Sequence, residues 1–319
     1  MNRWVAIATL ILGLALALSL AVCAPQPDGT GSPATPDRPA LPGETLPLPP
    51  PIVGPTARTD ADPFPKDCAE PTRYRAAAAE NRNTLDLIAW SPFGRPERGW
   101  RTYAPFVAFT VDSGCPPDSP RFAEALAAWS ARNGLRADGV LTPDAFVRMK
   151  NAAHAARPFV STRARGVCPD APDERELVTA GPTEGYRGKA VRMRPAVLAA
   201  YRRMVADARR DLPELARDPD MLDIFSAYRS PAYDAARCER DGNCQGVTRA
   251  KCSPHRTGLA IDIVVGNAPG HPVDSSADVN RLHMAQTPAY QWLVRNARRY
   301  GFVNYVFEPW HWEYVEEPI

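Results

Sequence analysis

From Leu259 to Val264 the chain reads Leu-Ala-Ile-Asp-Ile-Val, with its large apolar side chains on every second position. On that period Leu259, Ile261 and Ile263 face one side and Ala260, Asp262 and Val264 the other, which predicts a strand. Asp262 therefore leaves the main apolar face, with the small Ala260 beside it. Trp310 to Val315 predicts a second strand, rich in aromatics. Trp310, Trp312 and Tyr314 share one of its faces, the side that packs into a core, while His311 and Glu313 share the other. Pro309 excludes a helix at its start. Leu222 to Tyr228 predicts a third strand ending at Arg229, and Phe302 to Phe307 a further one leading to Glu308. Helical periodicity runs between them. Arg194 to about Arg210 turns Val197, Tyr201, Met204 and Val205 inward, Ala232 to Glu239 forms a short helix, and Pro288 to Tyr300 packs through Tyr290, Leu293 and Ala297. The fold expected is α+β: a small antiparallel sheet, with strands near 222–228, 259–264 and 310–315, and helices packed on it.

The part before this reads differently. From Cys68 to about Arg157 the pattern is helical, with an apolar cluster of Leu85, Leu87, Ile88 and Trp90. Ser119-Pro120 is a cap and first-turn pair, and the helix it opens carries Phe122, Leu126 and Trp129 on one face. Gly134 stops that helix, and Thr142-Pro143 opens another with Phe146 and Met149 inward. Pro25 to Lys66 is rich in Pro, Gly, Ser and Thr and holds few large apolar residues, so it cannot form a core and predicts a semi-extended tether. Fully extended, it spans on the order of 130 Å. Met1 to Ala24 has a charged start at Arg3 and an apolar run from Val5 to Val22, the pattern of an export signal. Three fates stay open for it: cleavage at Val22-Cys23-Ala24, lipidation of Cys23, or retention as an anchor. The organisation expected is thus 1–24 signal or anchor, 25–66 linker, 67–157 small helical domain and 158–319 the domain that carries the sheet.

Charge and cysteine content narrow the setting. The 319 residues carry a net charge of +2, which gives no electrostatic case for nucleic acid. Membrane contact is expected only through the N-terminal segment. Apart from Cys23 there are six cysteines, Cys68, Cys115, Cys168, Cys238, Cys244 and Cys252. An even number in an exported chain reads as disulfides, with about fifteen pairings open. Three lie at or before Cys168 and three after it, so full pairing requires at least one bridge between the groups. The bridge expected ties the region around Cys168, or the helical domain, to the 238–252 loop that leads into His255. Cys238, Cys244 and Cys252 lack the paired spacing of a cysteine zinc site.

The candidate chemistry lies in two stretches. Ser253-Pro254-His255-Arg256-Thr257-Gly258-Leu259-Ala260-Ile261-Asp262 offers a His and an Asp, and Glu308-Pro309-Trp310-His311 offers a second His with an acid three residues before it. Two imidazoles and one carboxylate form the ligand set of a catalytic zinc, which keeps its fourth position open. Glu308 is then free to act as a base on water. His154, His271 and His283 share no motif with an acid at ligand spacing.

These stretches resemble the VanY-type zinc D,D-/L,D-carboxypeptidases, bacterial enzymes that trim peptidoglycan stem peptides. The family patterns S-x-H-x-x-G-x-A-x-D and E-P-W-H are both intact, and S-G-Y-R-S appears as Ser226-Ala227-Tyr228-Arg229-Ser230. The resemblance covers roughly the last half of the chain. It implies that His255, Asp262 and His311 bind Zn2+, that Glu308 is the base, and that Arg229 and Ser253 contact the substrate. The family usually has Gln where this chain has Asp234, which either repels a substrate carboxylate or pairs with Arg229 and orients it. The loop from Gly134 to Pro143 resembles that of small peptidoglycan-binding helical domains, although Trp129 is followed by Ser130 rather than Gln. Wall binding and a purely structural role both stay open for that region. The function expected is zinc-dependent release of a terminal D-alanine from stem peptides by an exported protein of the periplasm or cell envelope. The alternatives are an endopeptidase acting on wall cross-links with the same residues, and a non-catalytic tethered wall-binding protein.

Overall fold

A computed structural model of the chain describes residues 66–160, 168–245 and 252–315. The expected export signal and almost all of the Pro-rich linker lie outside these residues. Among the described residues no helix is long and apolar enough to cross a membrane.

The first part is helical: α1 (Lys66–Ala69), α2 (Arg75–Leu87), α3 (Ala104–Thr110), α4 (Pro120–Arg132) and α5 (Pro143–Ala155). Between α2 and α3 a small ribbon pairs β1 (Ala89–Trp90) with β2 (Glu97–Arg98). A second ribbon, β3 (Val178–Thr179) with β4 (Arg192–Met193), opens the second part. Then follow α6 (Pro195–Asp211), β5 (Ile224–Ser226), α7 (Pro231–Arg240), β6 (Ala260–Ile263), α8 (Asp278–Ala285), α9 (Pro288–Asn296), β7 (Phe302–Asn304) and β8 (His311–Tyr314). The central sheet has the order β5-β6-β8-β7 and is antiparallel throughout. The fold is α+β, and the further strand expected from Phe302 joins the same sheet as β7, ending at Asn304 rather than Phe307.

Ser/Thr-Pro pairs start most of the helices that matter. The hydroxyls of Ser119, Thr142, Ser230 and Thr287 accept from the backbone N–H of Phe122, Ala145, Tyr233 and Tyr290. Each satisfies one orphan donor of the first turn, while Pro occupies a position that needs no N–H. The inward face expected for α6 is buried: Val197, Tyr201, Met204 and Val205 pack with Ile261, Ile263 and Trp312 of the sheet. A second cluster holds Leu85, Trp100, Phe122, Leu126, Phe146 and Met149. Leu87 departs from the expectation. It is the last residue of α2, turned away from Leu85, and is 59% exposed.

The helical cluster also contains Val306, from the loop between β7 and β8. Burying such a side chain is worth about 1.5–3 kcal/mol, so the loop is anchored by the helical part. Arg281, 1% exposed, adds a polar clamp. Its Nε donates to the carbonyl of Phe307 at 2.8 Å and its guanidinium lies 3.9 Å from the Phe307 ring. Its other nitrogens reach Asp278, Glu97 and the Tyr103 hydroxyl.

The disulfides are Cys68–Cys115, Cys168–Cys252 and Cys238–Cys244. The second is the inter-group bridge that the odd division of cysteines requires, and it ends next to Ser253 and His255. It closes a loop of 84 residues. In the chain-entropy account, opening a loop of that size costs about 4–5 kcal/mol. A Cys168→Ser/Cys252→Ser variant is therefore expected to unfold at clearly lower denaturant than the parent. An unchanged midpoint would show that this bridge does not hold the structure.

Candidate metal centre

Sheet register builds half of the centre. Asp262 on β6 and His311 on β8 are direct cross-strand partners. Partners opposite one another point to the same face, with Cβ atoms about 4.5–5.5 Å apart. His255 arrives from a separate turn, Pro254–Thr257, which the Ser253 hydroxyl caps by accepting from the His255 N–H at 3.3 Å. Gly258 ends that turn at φ +69, a left-handed backbone that favours glycine at the reversal into β6.

The three side chains meet. His255 Nε2 lies 3.1 Å from Asp262 Oδ1 and 3.2 Å from His311 Nδ1, and His311 Nδ1 lies 2.8 Å from Asp262 Oδ1. All three residues are buried. Donors bound tetrahedrally at about 2.0–2.1 Å stand about 3.4 Å apart, so this triangle is close to the size a zinc ion needs. The outer nitrogens point the same way. His255 Nδ1 is 2.7 Å from the Ala227 carbonyl, to which it donates, leaving the Nε2 lone pair inward. His311 Nε2 is 3.3 Å from Glu313 Oε1 and donates to it, leaving Nδ1 inward. Hydrogen bonds of this kind fix the tautomer and orientation of a metal-binding imidazole and make it a better ligand. The donor set fits a divalent cation.

Burial and charge act in opposition here. Burial lowers the His255 imidazole to about 4, helped by the Arg229 charge. Burial also opposes a charged His311, but hydrogen bonds to Asp262 and Glu313 outweigh it and raise that imidazole to about 9. Burial would raise Asp262, yet His255 and His311 hold it far below the usual carboxylate range. Glu313 is kept at about 2 against its burial, chiefly by Arg157. Arg157 Nε donates to Glu313 Oε1 at 2.8 Å, and the Phe159 N–H donates to Oε2 at 3.3 Å. Glu308 is different. Burial pushes its carboxyl up to about 7, only partly offset by the neighbouring His311. Its backbone is held in a turn: Glu308 N–H donates to Tyr305 O at 2.7 Å, and His311 N–H to Glu308 O at 2.9 Å.

These groups open on one cleft of about 1260 Å³. Glu308, Arg229 and Ser253 line it with the triad, whereas Asp234 lies just behind. Arg229 is held through all three of its nitrogens, with two N–H groups left over. Its Nε donates to Asp234 at 2.7 Å, Nη1 to the Ser226 hydroxyl at 2.8 Å and Nη2 to the Ser253 hydroxyl at 2.9 Å. Of the two roles open for Asp234, the structure has the pairing: its carboxylate points at Arg229. Trp310 and Trp312 belong to the core, as their strand face requires, although an edge of Trp310 also reaches the cleft. His154 shares no motif with an acid, yet it lines the cleft wall, with Nε2 3.4 Å from the Val306 nitrogen whose N–H donates to it. Sequence reasoning assigned no role to Glu313, Arg157 or Arg281. For Glu313 a signal existed, since period two puts it on the His311 face. The two arginines act across the fold and carry no such mark.

Residues 190–317 match the family model VanY, D-alanyl-D-alanine carboxypeptidase. This part of the chain is of the VanY type. No curated protein matches the chain. Among solved structures, the LdcB LD-carboxypeptidase is 20% identical, covering 46% of this chain and 71% of its own, with a TM-score of 0.33. A variant of the vancomycin-resistance D,D-pentapeptidase VanY, solved with Zn(II), is 21% identical, covering 46% of this chain and 83% of its own, with a TM-score of 0.26.

Proposed function

We propose, from a C-terminal half of the VanY type, that the chain is an exported zinc peptidase that removes a terminal D-alanine from peptidoglycan stem peptides. The observation that carries this reading is the convergence of three ligand atoms, with both imidazoles hydrogen-bonded on their outer side, beside a buried carboxyl in an open cleft. His255, Asp262 and His311 would hold the ion. When bound, zinc supplies Lewis acidity, bringing water toward deprotonation near neutral pH and polarising a carbonyl. The Glu308 carboxyl takes the proton of the attacking water and passes it to the leaving amine. Its burial suits that work, because a base is most useful with a pKa near the working pH. Arg229, held in place by Asp234, Ser226 and Ser253, presents a fixed cation beside Asp262. It is suited to the free carboxylate that a carboxypeptidase must recognise.

The test uses purified stem pentapeptides ending in a free carboxylate and their C-terminal amides, with and without a chelator. Release of D-alanine from the acid only, abolished by chelation and restored by zinc, is the expected result. Equal cleavage of the amide, with Arg229→Ala treating both alike, would replace this reading by the endopeptidase one. No cleavage of either, with zinc bound, would leave the site without a catalytic role.

A further inference from the structure

The helical part contributes a wall of the cleft, through Phe93, Lys150, Asn151 and His154. Lys150 brings a cation to that wall. Of the arginines that line the cleft, Arg157, Arg192 and Arg229 face carboxylates on Glu313, Glu174 and Asp234, and the exposed Lys189 donates to the Phe225 carbonyl at 2.7 Å, next to Ser226. Among the described residues Lys150 has no carboxylate within ion-pair distance. Its ammonium instead donates to the Pro92 carbonyl at 2.5 Å and lies 4.8 Å from the centre of the Phe93 ring. Half-buried, its charge is disfavoured by desolvation, with no anion to offset it.

Its position relative to the centre is fixed by packing. The Phe93 ring is 5.9 Å from the Tyr305 ring, which is 6.2 Å from the His311 imidazole. Lys150 is therefore connected to the His311 side of the triad. Arg229 abuts the other side, with Nη1 3.6 Å from Asp262 Oδ2. Lys150 and Arg229 thus approach different members of the triad. One cleft holds Arg229, the triad and Lys150, so a peptide whose terminal carboxylate rests at Arg229 and whose scissile bond lies at the triad has room to run upstream along the wall that carries Lys150.

Resting on the carboxypeptidase reading above, we propose that Lys150 forms a second anion subsite, for a carboxylate that the stem peptide carries upstream of the scissile bond. The helical part then selects substrate: a stem with a free internal carboxylate is preferred over one in which that group is a carboxamide. The ammonium keeps its bond to Pro92 and its place over Phe93, and uses its remaining donors on the incoming carboxylate.

The test uses the full zinc-loaded chain and two pentapeptides ending in D-alanyl-D-alanine, identical except for a free or an amidated internal carboxylate. The parent is expected to favour the free acid by about tenfold or more in kcat/KM, the size of a hydrogen bond between charged groups. Lys150→Met should erase that preference while leaving the amidated peptide within about twofold, and Lys150→Arg should retain it. An unchanged preference in Lys150→Met, or an equal loss on both peptides, would overturn the subsite. Calorimetric binding of the same pair to the same variants separates the two readings. If neither peptide is cleaved the carboxypeptidase reading fails, while the subsite still stands or falls on whether binding of the acid alone weakens in Lys150→Met.

Discussion

Glu308→Ala is expected to lower turnover by about 10²–10⁴-fold while the protein keeps its fold and a full equivalent of zinc. The reasoning rests on what Glu308 does and does not touch. The three inward atoms that could bind an ion come from His255, Asp262 and His311, and Glu308 is not one of them. Its backbone N–H and carbonyl hold the turn between β7 and β8, and alanine preserves both. Removing a buried carboxyl whose charge is opposed by desolvation should cost little stability. His311→Ala provides the contrast. It removes one corner of the triangle and leaves Asp262 and Glu313 facing each other without the imidazole between, so zinc and activity should be lost together. Metal content by elemental analysis and D-alanine release distinguish the two. If zinc fell with activity in Glu308→Ala, Glu308 would be a ligand and the base would lie elsewhere. If His311→Ala kept a full equivalent, the ligand assignment would be wrong.

Arg157→Met is expected to destabilise the protein by about 3–5 kcal/mol, because it strips a buried carboxylate of its counter-ion. Arg157 and Glu313 are 5% and 2% exposed, so water cannot replace the lost partner. Glu313 also accepts from His311 Nε2, so zinc affinity should fall by about 10–100-fold, the usual effect of disturbing the group behind a metal-binding His. A second variant separates stability from metal binding. Arg157→Met/Glu313→Leu leaves no buried charge behind, and should recover much of the lost stability without recovering zinc affinity. Thermal unfolding and a competitive zinc titration read the two quantities independently. Parent-like zinc affinity in Arg157→Met would show that the pair only holds the two parts of the chain together.

Much of this protein was set by local sequence. Alternation along 259–264 and 310–315 placed Asp262 and His311 off the core faces, because side chains of a strand alternate whatever the strand pairs with. Ser/Thr-Pro pairs marked helix starts, because a cap is satisfied within four residues. Glycine at 258 marked the reversal after His255, since its positive φ belongs to the backbone of that residue alone. The motifs that carry His255, Asp262 and His311 were legible for the same reason, being short and carried on these elements. Even the bridge from Cys168 to Cys252 was partly determined, by the odd division of cysteines along the chain.

Tertiary structure decided what the helical part does for the centre. Sequence left that region as either a wall-binding module or a prop. In the fold its residues support the centre from behind: Arg157 meets Glu313 across 156 positions, and Tyr103 meets Arg281 across 178. Val306 leaves the sheet domain to join the helical core, and Lys150 comes to the same cleft as Arg229. None of these pairs has a sequence signature, because charge pairing and burial depend on which surfaces dock and not on spacing along the chain. The physical reason lies in the register Asp262–His311. Once it fixes the sheet, Glu313 faces a position that needs a counter-charge, and only the packing of the helical part could supply one.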